Sequence, residues 1–472
     1  MNLYDFENYE DDEEATRREK RMDEEIKKFE ELLKNGNIGI TNIDALEEII
    51  TFFFEHDRFE EALHFINALL EITSYSADAW LKKGMALNNL QRYPEALECY
   101  DRAILLNPID PDIHLNRGIT LDNLNRIDEA MQAFDEAIRI DPNNEEALFN
   151  KAITLEKLER YTEAEKIFRY IVENSPDHHD AWYELGYCYD YLDRLDDSLK
   201  CYEEHLNRDP YNYNGWYNKG IVLNRLGQYS KAIESYNIAL AIKEDFPAAW
   251  YNKGNAFANM GRLYEAIQCY KETIILEEQD VPAWHNMGNA YEELGDYHEA
   301  IRCFTQAIKE DEKHYESYFG RGSCYDCLEE YQKALADYTK ALSIHHDYQE
   351  LWYAKADVEY NLGMLKESLA SYRMVIRVDS SNLEAWFDYG DTLAECGDYV
   401  ESLEALNTVI QRNDRWAAPY YCRAKVYFAL QRPQDALESL RICFRLDPSK
   451  KRSFEDEFPG ALLLPEFAEF RY

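Results

Sequence analysis

Apolar and small residues return along this chain in two superposed rhythms, a helical one of three to four residues and a long one of 34. Taking Ile43 as place 1, twelve repeats of 34 residues follow without insertion as far as Lys450. Place 4 holds Trp80, Trp182, Trp216, Trp250, Trp284, Trp352 and Trp386, seven of the eight tryptophans. Four residues on stand Gly84, Gly118, Gly186, Gly220, Gly254, Gly288, Gly322 and Gly390, with Ala152, Ala356 and Ala424 as small substitutes. Every repeat has Ala or Ser at place 20, and most have Tyr or Phe at place 24, as in Tyr100, Phe134, Tyr236 and Tyr270.

Places 4, 8 and 11 follow i, i+4, i+7 and form one stripe on a first helix, and places 20, 24 and 27 do the same on a second. Small residues at 8 and 20 let two backbones cross closely while large ones at 4 and 24 fill what remains. Pro108, Pro142, Pro176, Pro210 and Pro448 at place 32 predict a stop just past the second helix. Polar breakers such as Leu226-Gly227-Gln228-Tyr229 predict the turn inside each repeat. The predicted fold class is therefore all-α: an α-solenoid of twelve helix-turn-helix repeats, each burying its stripes on its neighbours.

Trp182, Leu185, Gly186 and Tyr189 spell W-x2-L-G-x2-Y, and with the small residue, the aromatic and the proline at their places the repeat resembles the tetratricopeptide repeat. That resemblance implies a right-handed superhelix of helical hairpins whose first helices line a concave groove used to bind peptides or partner proteins.

The expected organisation is an acidic, disordered start over 1–14, a helical cap over 15–42, the repeats over 43–450, and a cap with an apolar tail over 451–472. Met22, Ile26, Phe29 and Leu33 carry the cap's helical stripe. The tail, with Leu462, Leu463, Leu464, Phe467, Phe470 and Tyr472, needs cover, either by packing on the last helix pair or by insertion into its own groove or that of a second copy, giving autoinhibition or a homo-oligomer.

Composition narrows the partners. A net charge of −41 disfavours nucleic acid and anionic membrane and favours basic proteins. Without an apolar run fit for a signal peptide or a membrane span, the chain reads as cytoplasmic. Ten scattered cysteines suit reduced core thiols.

No catalytic residue, metal site or cofactor motif emerges, so an enzyme is not predicted. Cys324-Tyr325-Asp326-Cys327 has the CxxC form but falls within one first helix and lacks a second pair, so helix surface and core are expected rather than metal. His178-His179-Asp180 and His345-His346-Asp347 fall at junctions between repeats, where polar turn residues belong.

Function is expected on the face of the first helices, at places 2, 5, 6, 9, 12 and 13. Asn116, Asn150, Asn218, Asn252 and Asn286 recur at place 6, joined by Asn255 and Asn289 at place 9. Asparagine is an indifferent helix former, so the series either pairs with the backbone of an extended peptide or bonds a neighbouring helix. It resembles the asparagine ladder of the O-GlcNAc transferase repeat superhelix. Tyr183, Tyr217, Tyr251 and Tyr353 at place 5 offer rings for Lys, Arg or apolar side chains, or a shield for the next helix. No Lys or Arg stands at place 5, a departure from the two-carboxylate clamp of chaperone-binding members of the family. Places 2, 5, 9, 12 and 13 carry 19 acidic and 3 basic residues, 8 of the acids being first-turn residues that offset the helix dipole.

These features predict a non-catalytic adaptor that binds an extended, basic or aromatic-rich segment of another protein. The alternatives are a regulatory or substrate-recruiting subunit of a separate enzyme, and a self-assembling structural repeat protein.

Overall fold

A computed structural model describes residues 20–34, 39 and 42–458. The acidic start and the apolar tail beyond Phe458 lie outside the described residues. Helix follows helix, with no strand among the described residues. The chain divides into two compact units, Met1–Leu226 and Gly227–Tyr472.

The first compact unit opens with α1 over 20–34, whose stripe of Met22, Ile26 and Phe29 is buried. There follow α2 (Ile43–Glu55), α3 (Phe59–Ile72), α4 (Ala77–Asn89), α5 (Tyr93–Leu106), α6 (Pro111–Asn123) and α7 (Ile127–Ile140). It ends with α8 (Glu145–Lys157), α9 (Tyr161–Asn174), α10 (His179–Tyr191), α11 (Leu195–Arg208) and α12 (Tyr213–Arg225).

The second contains α13 (Tyr229–Ile242), α14 (Pro247–Asn259), α15 (Leu263–Leu276), α16 (Val281–Glu293), α17 (Tyr297–Glu310), α18 (Tyr315–Cys327) and α19 (Tyr331–Ile344). It continues with α20 (Gln349–Asn361), α21 (Leu365–Val378), α22 (Leu383–Cys396), α23 (Tyr399–Arg412), α24 (Ala417–Ala429), α25 (Pro433–Leu446) and the short α26 (Lys450–Glu457). From α2 to α25, even-numbered helices are the first of each repeat and odd-numbered ones the second. First helices occupy places 1–13, α22 running one residue longer, and second helices places 17–30. Within each compact unit, consecutive helices pack on one another.

Local chemistry sets these bounds. Side chains of Ser76, Asp110, Asn144, Asn212, Asp280 and Asn382 accept N–H bonds at the starts of first helices, satisfying donors that have no partner within the helix. His178 and His314 do the same through a ring nitrogen, which accounts for histidine at these two junctions. Between the two helices, place 15 is left-handed in all twelve repeats, with φ from 54° to 85°. Five of these residues are glycine; the other seven, such as Asp193 and Glu329, adopt a conformation that costs an ordinary L-residue roughly 1 kcal/mol.

The size alternation has a direct cause. A Cβ built on Gly84 would lie 2.4 Å from the ring of Tyr100, and one on Gly118 2.5 Å from Phe134. The place 24 rings of Tyr100, Phe134, Phe168, Tyr202, Tyr236, Tyr270, Phe304 and Tyr338 are fully buried. Where place 20 is Ser instead of Ala, the hydroxyl donates to the place 8 carbonyl of the same repeat: Ser198 to Gly186 at 2.7 Å, Ser368 to Ala356 at 2.9 Å, Ser402 to Gly390 at 2.6 Å. A buried hydroxyl is thereby satisfied without widening the crossing.

Candidate functional site

The recurring stretch Trp-Tyr-Asn-Lys-Gly divides into residues that hold the repeat together and residues that face outward. In α14, Trp250 donates its indole N–H to the Glu244 carbonyl at 3.3 Å, and Lys253 stands 4.3 Å over the indole ring. Trp80, Trp182, Trp216, Trp284, Trp352 and Trp386 make the same bond six residues back, so tryptophan at place 4 latches these first helices to the turns that precede them. These indoles are half-buried, and the fully buried bulk belongs to place 24. Gly254 lies against the ring of Tyr270. Tyr251 and Asn252 remain on the outer face, half-buried.

The asparagines have two kinds of partner. Asn116, Asn150 and Asn252 donate to the carbonyl one turn back in their own helix, at 2.8, 2.8 and 3.0 Å. Asn218 instead reaches the Tyr183 hydroxyl at 2.8 Å, and Asn286 reaches that of Tyr251 at 2.9 Å. Asn286 also donates to Asn255 Oδ1 at 3.0 Å, an oxygen that accepts from the Tyr270 hydroxyl at 2.8 Å as well. Asn289 Nδ2 lies 3.1 Å from His285 Nε2, and Tyr353 donates to Asp388 on the next first helix. Tyr217 is half-buried on α12.

Place 5 tyrosines and place 6 polar groups thus bridge α10 to α12, α14 to α16 and α20 to α22. Desolvation beside Glu184 raises the Tyr183 hydroxyl to about 12. At that value it is a neutral donor and acceptor at every physiological pH.

A second seam runs deeper and involves residues that single-column reading overlooks. Place 12 accepts from place 10 of the next repeat: Asn88 from Thr120 at 2.8 Å, Asp122 from Thr154 at 3.3 Å, Glu156 from Cys188 at 2.9 Å. Cations at place 13 of the next repeat add to it. Lys157 pairs with Asp122, and Arg225 pairs with Asp190 while reaching Asp193 at 2.8 Å. Over these three repeats, columns 10 and 12 read together with an offset of 32 residues carry the pairing in the sequence.

Charge compensation is uneven along the face. In the first compact unit, burial raises Glu156 to about 7, and burial together with the Glu156 charge raises Glu184 to about 8. In the second, burial raises Glu292, Asp326 and Asp388, and takes Asp357 to about 6. Among the described residues none of these four has an ion-pair partner. Cys324 of the CxxC is buried and its thiol is pushed up by desolvation, while Cys327 is exposed. Among the described residues no group of three His, Cys, Asp or Glu side chains could hold a metal ion, and no helix is long and apolar enough to cross a membrane.

Helical hairpins of one register, stacked through small-residue crossings and stitched along one face, define an α-solenoid repeat protein. The chain belongs to the tetratricopeptide repeat family. Models described as Tetratricopeptide repeat match residues 81–145, 149–213 and 353–415; 247–280, 281–314 and 315–348; 123–172; and 201–234. One described as TPR repeat matches 222–261. Proteins of this family are generally non-catalytic, and the fold is a protein-interaction scaffold.

No curated protein matches the chain. Among similar solved structures, YrrB, described as a TPR protein with an unusual peptide-binding site, is 21% identical with a TM-score of 0.39, covering 40% of this chain and 98% of its own. The C-terminal part of a TPR repeat-containing protein from Cytophaga hutchinsonii is 20% identical with a TM-score of 0.45, covering 50% and 97%. The APC/C hetero-tetramer Cut9-Hcn1 is 15% identical with a TM-score of 0.39, covering 91% and 96%.

Proposed function

We infer that the first-helix face binds an extended, basic segment of a partner protein. The observation that carries this reading is the run of half-buried carboxylates Glu292, Asp326, Asp357 and Asp388, raised by burial and lacking an ion-pair partner among the described residues. Cationic side chains arriving there would relieve a cost the fold now bears. Tyrosines beside them supply flat surfaces for the aliphatic stems and guanidinium planes of such a segment.

The asparagines take part unequally. An amide nitrogen carries two protons, and Asn286 spends both on Tyr251 and Asn255. It offers a ligand only its oxygen, which accepts from a peptide N–H. Asn218 spends one proton on Tyr183 and has the other to give.

Fluorescence anisotropy of labelled extended peptides, basic against acidic and scrambled, tests the reading across a salt series. Basic segments are expected to bind with an affinity that falls as salt rises and falls again in Asn286→Ala, which stands in the same compact unit as the four carboxylates. Preference for acidic segments, or basic binding indifferent to salt and to that substitution, overturns it.

A further inference from the structure

Between α20 and α22 the first-helix face opens into a cavity of about 450 Å³, within the range of small-ligand sites. Its walls carry Tyr353, Tyr360, Asp357, Asp388, Asp391 and Asn361. Its floor is the ring of Tyr372, buried at the place 24 position, whose hydroxyl donates to Asp357 at 2.5 Å. Tyr353 donates to Asp388, and Tyr360 donates to Glu395 at 2.7 Å.

We propose that this cavity is a subsite for one arginine side chain of a partner segment, with the guanidinium paired to Asp388 and Asp357 and laid against Tyr353 or Tyr360. The proposal rests on the reading that the first-helix face binds an extended segment, and names what one place on that face selects.

Two other repeats pair carboxylates of their first-helix face with a cation of the chain itself. On α12, Arg225 stands at place 13 and lies across Asp190 and Asp193, carboxylates contributed by the preceding repeat and its turn. On α8, Lys157 does the same to Asp122. At the corresponding places stand Glu395 on α22 and Tyr360 on α20, which bond each other, while Asp357, Asp388 and Asp391 lie at places 9, 6 and 9. Lys425, which faces Asp391 from α24, is held by Glu457 at 3.2 Å. Among the described residues, Asp357, Asp388 and Asp391 have no ion-pair partner.

Two physical points favour a guanidinium over an ammonium or a metal ion. Its plane matches ring faces and its fork of N–H donors matches carboxylates on two helices. The three aspartates are not drawn together as metal ligands would be. Burial holds Asp357 up at about 6, and an adjoining guanidinium would bring it back down.

The probe is N-acetyl-arginine amide, titrated into the full chain and followed by NMR. Expected are saturable shifts at Tyr353, Tyr360 and Asp388, weaker binding of the lysine counterpart, and none of the uncharged citrulline counterpart. Asp388→Asn, which keeps an acceptor for Tyr353, is expected to weaken the arginine probe about tenfold or more. Equal binding of arginine and citrulline, equal binding of lysine, or an unchanged affinity in Asp388→Asn overturns the arginine subsite, and the citrulline comparison needs no variant to fold.

The two readings fail separately. Basic segments that bind the wild-type chain while the arginine probe does not touch this cavity would sink the subsite alone. Saturation of the cavity by the probe without binding of any basic segment would sink the groove reading alone.

Discussion

Replacing Gly254 by alanine sets two opposed effects against each other at a known distance. In a helix interior alanine is better than glycine by about 1 kcal/mol. Against this, the new Cβ would lie 2.7, 2.9 and 3.2 Å from Tyr270 Cε1, Cδ1 and Cζ. Tyr270 is 1% exposed and cannot yield cheaply, because its hydroxyl is fixed on Asn255 Oδ1 at 2.8 Å. Overpacking of this kind costs about 1–3 kcal/mol, so the net effect is a loss of about 0–2 kcal/mol. Gly390→Ala, in the same compact unit, is the control: its Cβ would meet Leu406 Cγ at 3.1 Å, Leu406 Cδ2 at 3.2 Å and Ala405 Cβ at 3.3 Å, a looser fit than against the Tyr270 ring. There the helix preference prevails and a gain of up to about 1 kcal/mol is expected.

Urea unfolding followed by circular dichroism ranks the two variants. Hydrogen exchange of α14 and α16 locates the damage, since repeats share their stability with neighbours. Faster exchange around Asn255 and Asn286 is expected in Gly254→Ala alone. Equal stabilisation by both substitutions would refute the reasoning that the place 24 ring sets the residue allowed at place 8.

Asp337→Ala strands the guanidinium of Arg321, which now makes two 2.7 Å bonds to that carboxylate with side chains only 17% and 10% exposed. A loss of about 3–5 kcal/mol is expected, and Arg321→Met with Asp337→Leu should recover most of it; a single-variant loss below about 1 kcal/mol would show the pair to be solvated. Glu156 and Glu184 hold protons more tightly folded than unfolded, so their contribution is full below the ordinary 4.5 and is lost as pH rises through about 7 and 8. Glu184→Gln should therefore raise the stability of the wild-type chain at pH 8 more than at pH 5, as read by thermal melts, and an equal effect at both pH values would sink this account.

Most of the architecture was legible because only small residues are admitted at places 8 and 20 in nearly every repeat. Helix stops followed from the same register, with Pro108 and Pro142 marking them, whereas the starts are set by caps such as Ser76 and Asn144 that the repeat columns do not single out. The candidate site was legible only in part. Periodicity places Asn116 and Asn286 on one face, yet says nothing of which neighbour each amide reaches: the first turns back on its own helix and the second bridges to Tyr251. The difference depends on what place 5 of the previous repeat offers, Leu81 before Asn116 and Tyr251 before Asn286, and a hydroxyl is needed for the bridge. Tryptophan at place 4 looks like core filler from its spacing alone, and its bond to the carbonyl six residues back is hidden because it runs to backbone. The cavity beside Tyr353 and Asp388 was illegible for a related reason, since it is made by residues 35 apart that no single helix period brings together.

The left-handed residue shared by all twelve turns makes the chain tolerant of one kind of genetic change and intolerant of another. Loss or gain of a whole block of 34 residues joins ends that already carry the right bend, so copy number could drift between descendants without new joints having to evolve. A single-residue deletion inside a helix rotates the remainder of that helix by about 100°, turning its buried stripe toward water and its charged side toward the neighbour. Natural variation in length should therefore come in multiples of the block, and frame-preserving deletions of other sizes should be purged.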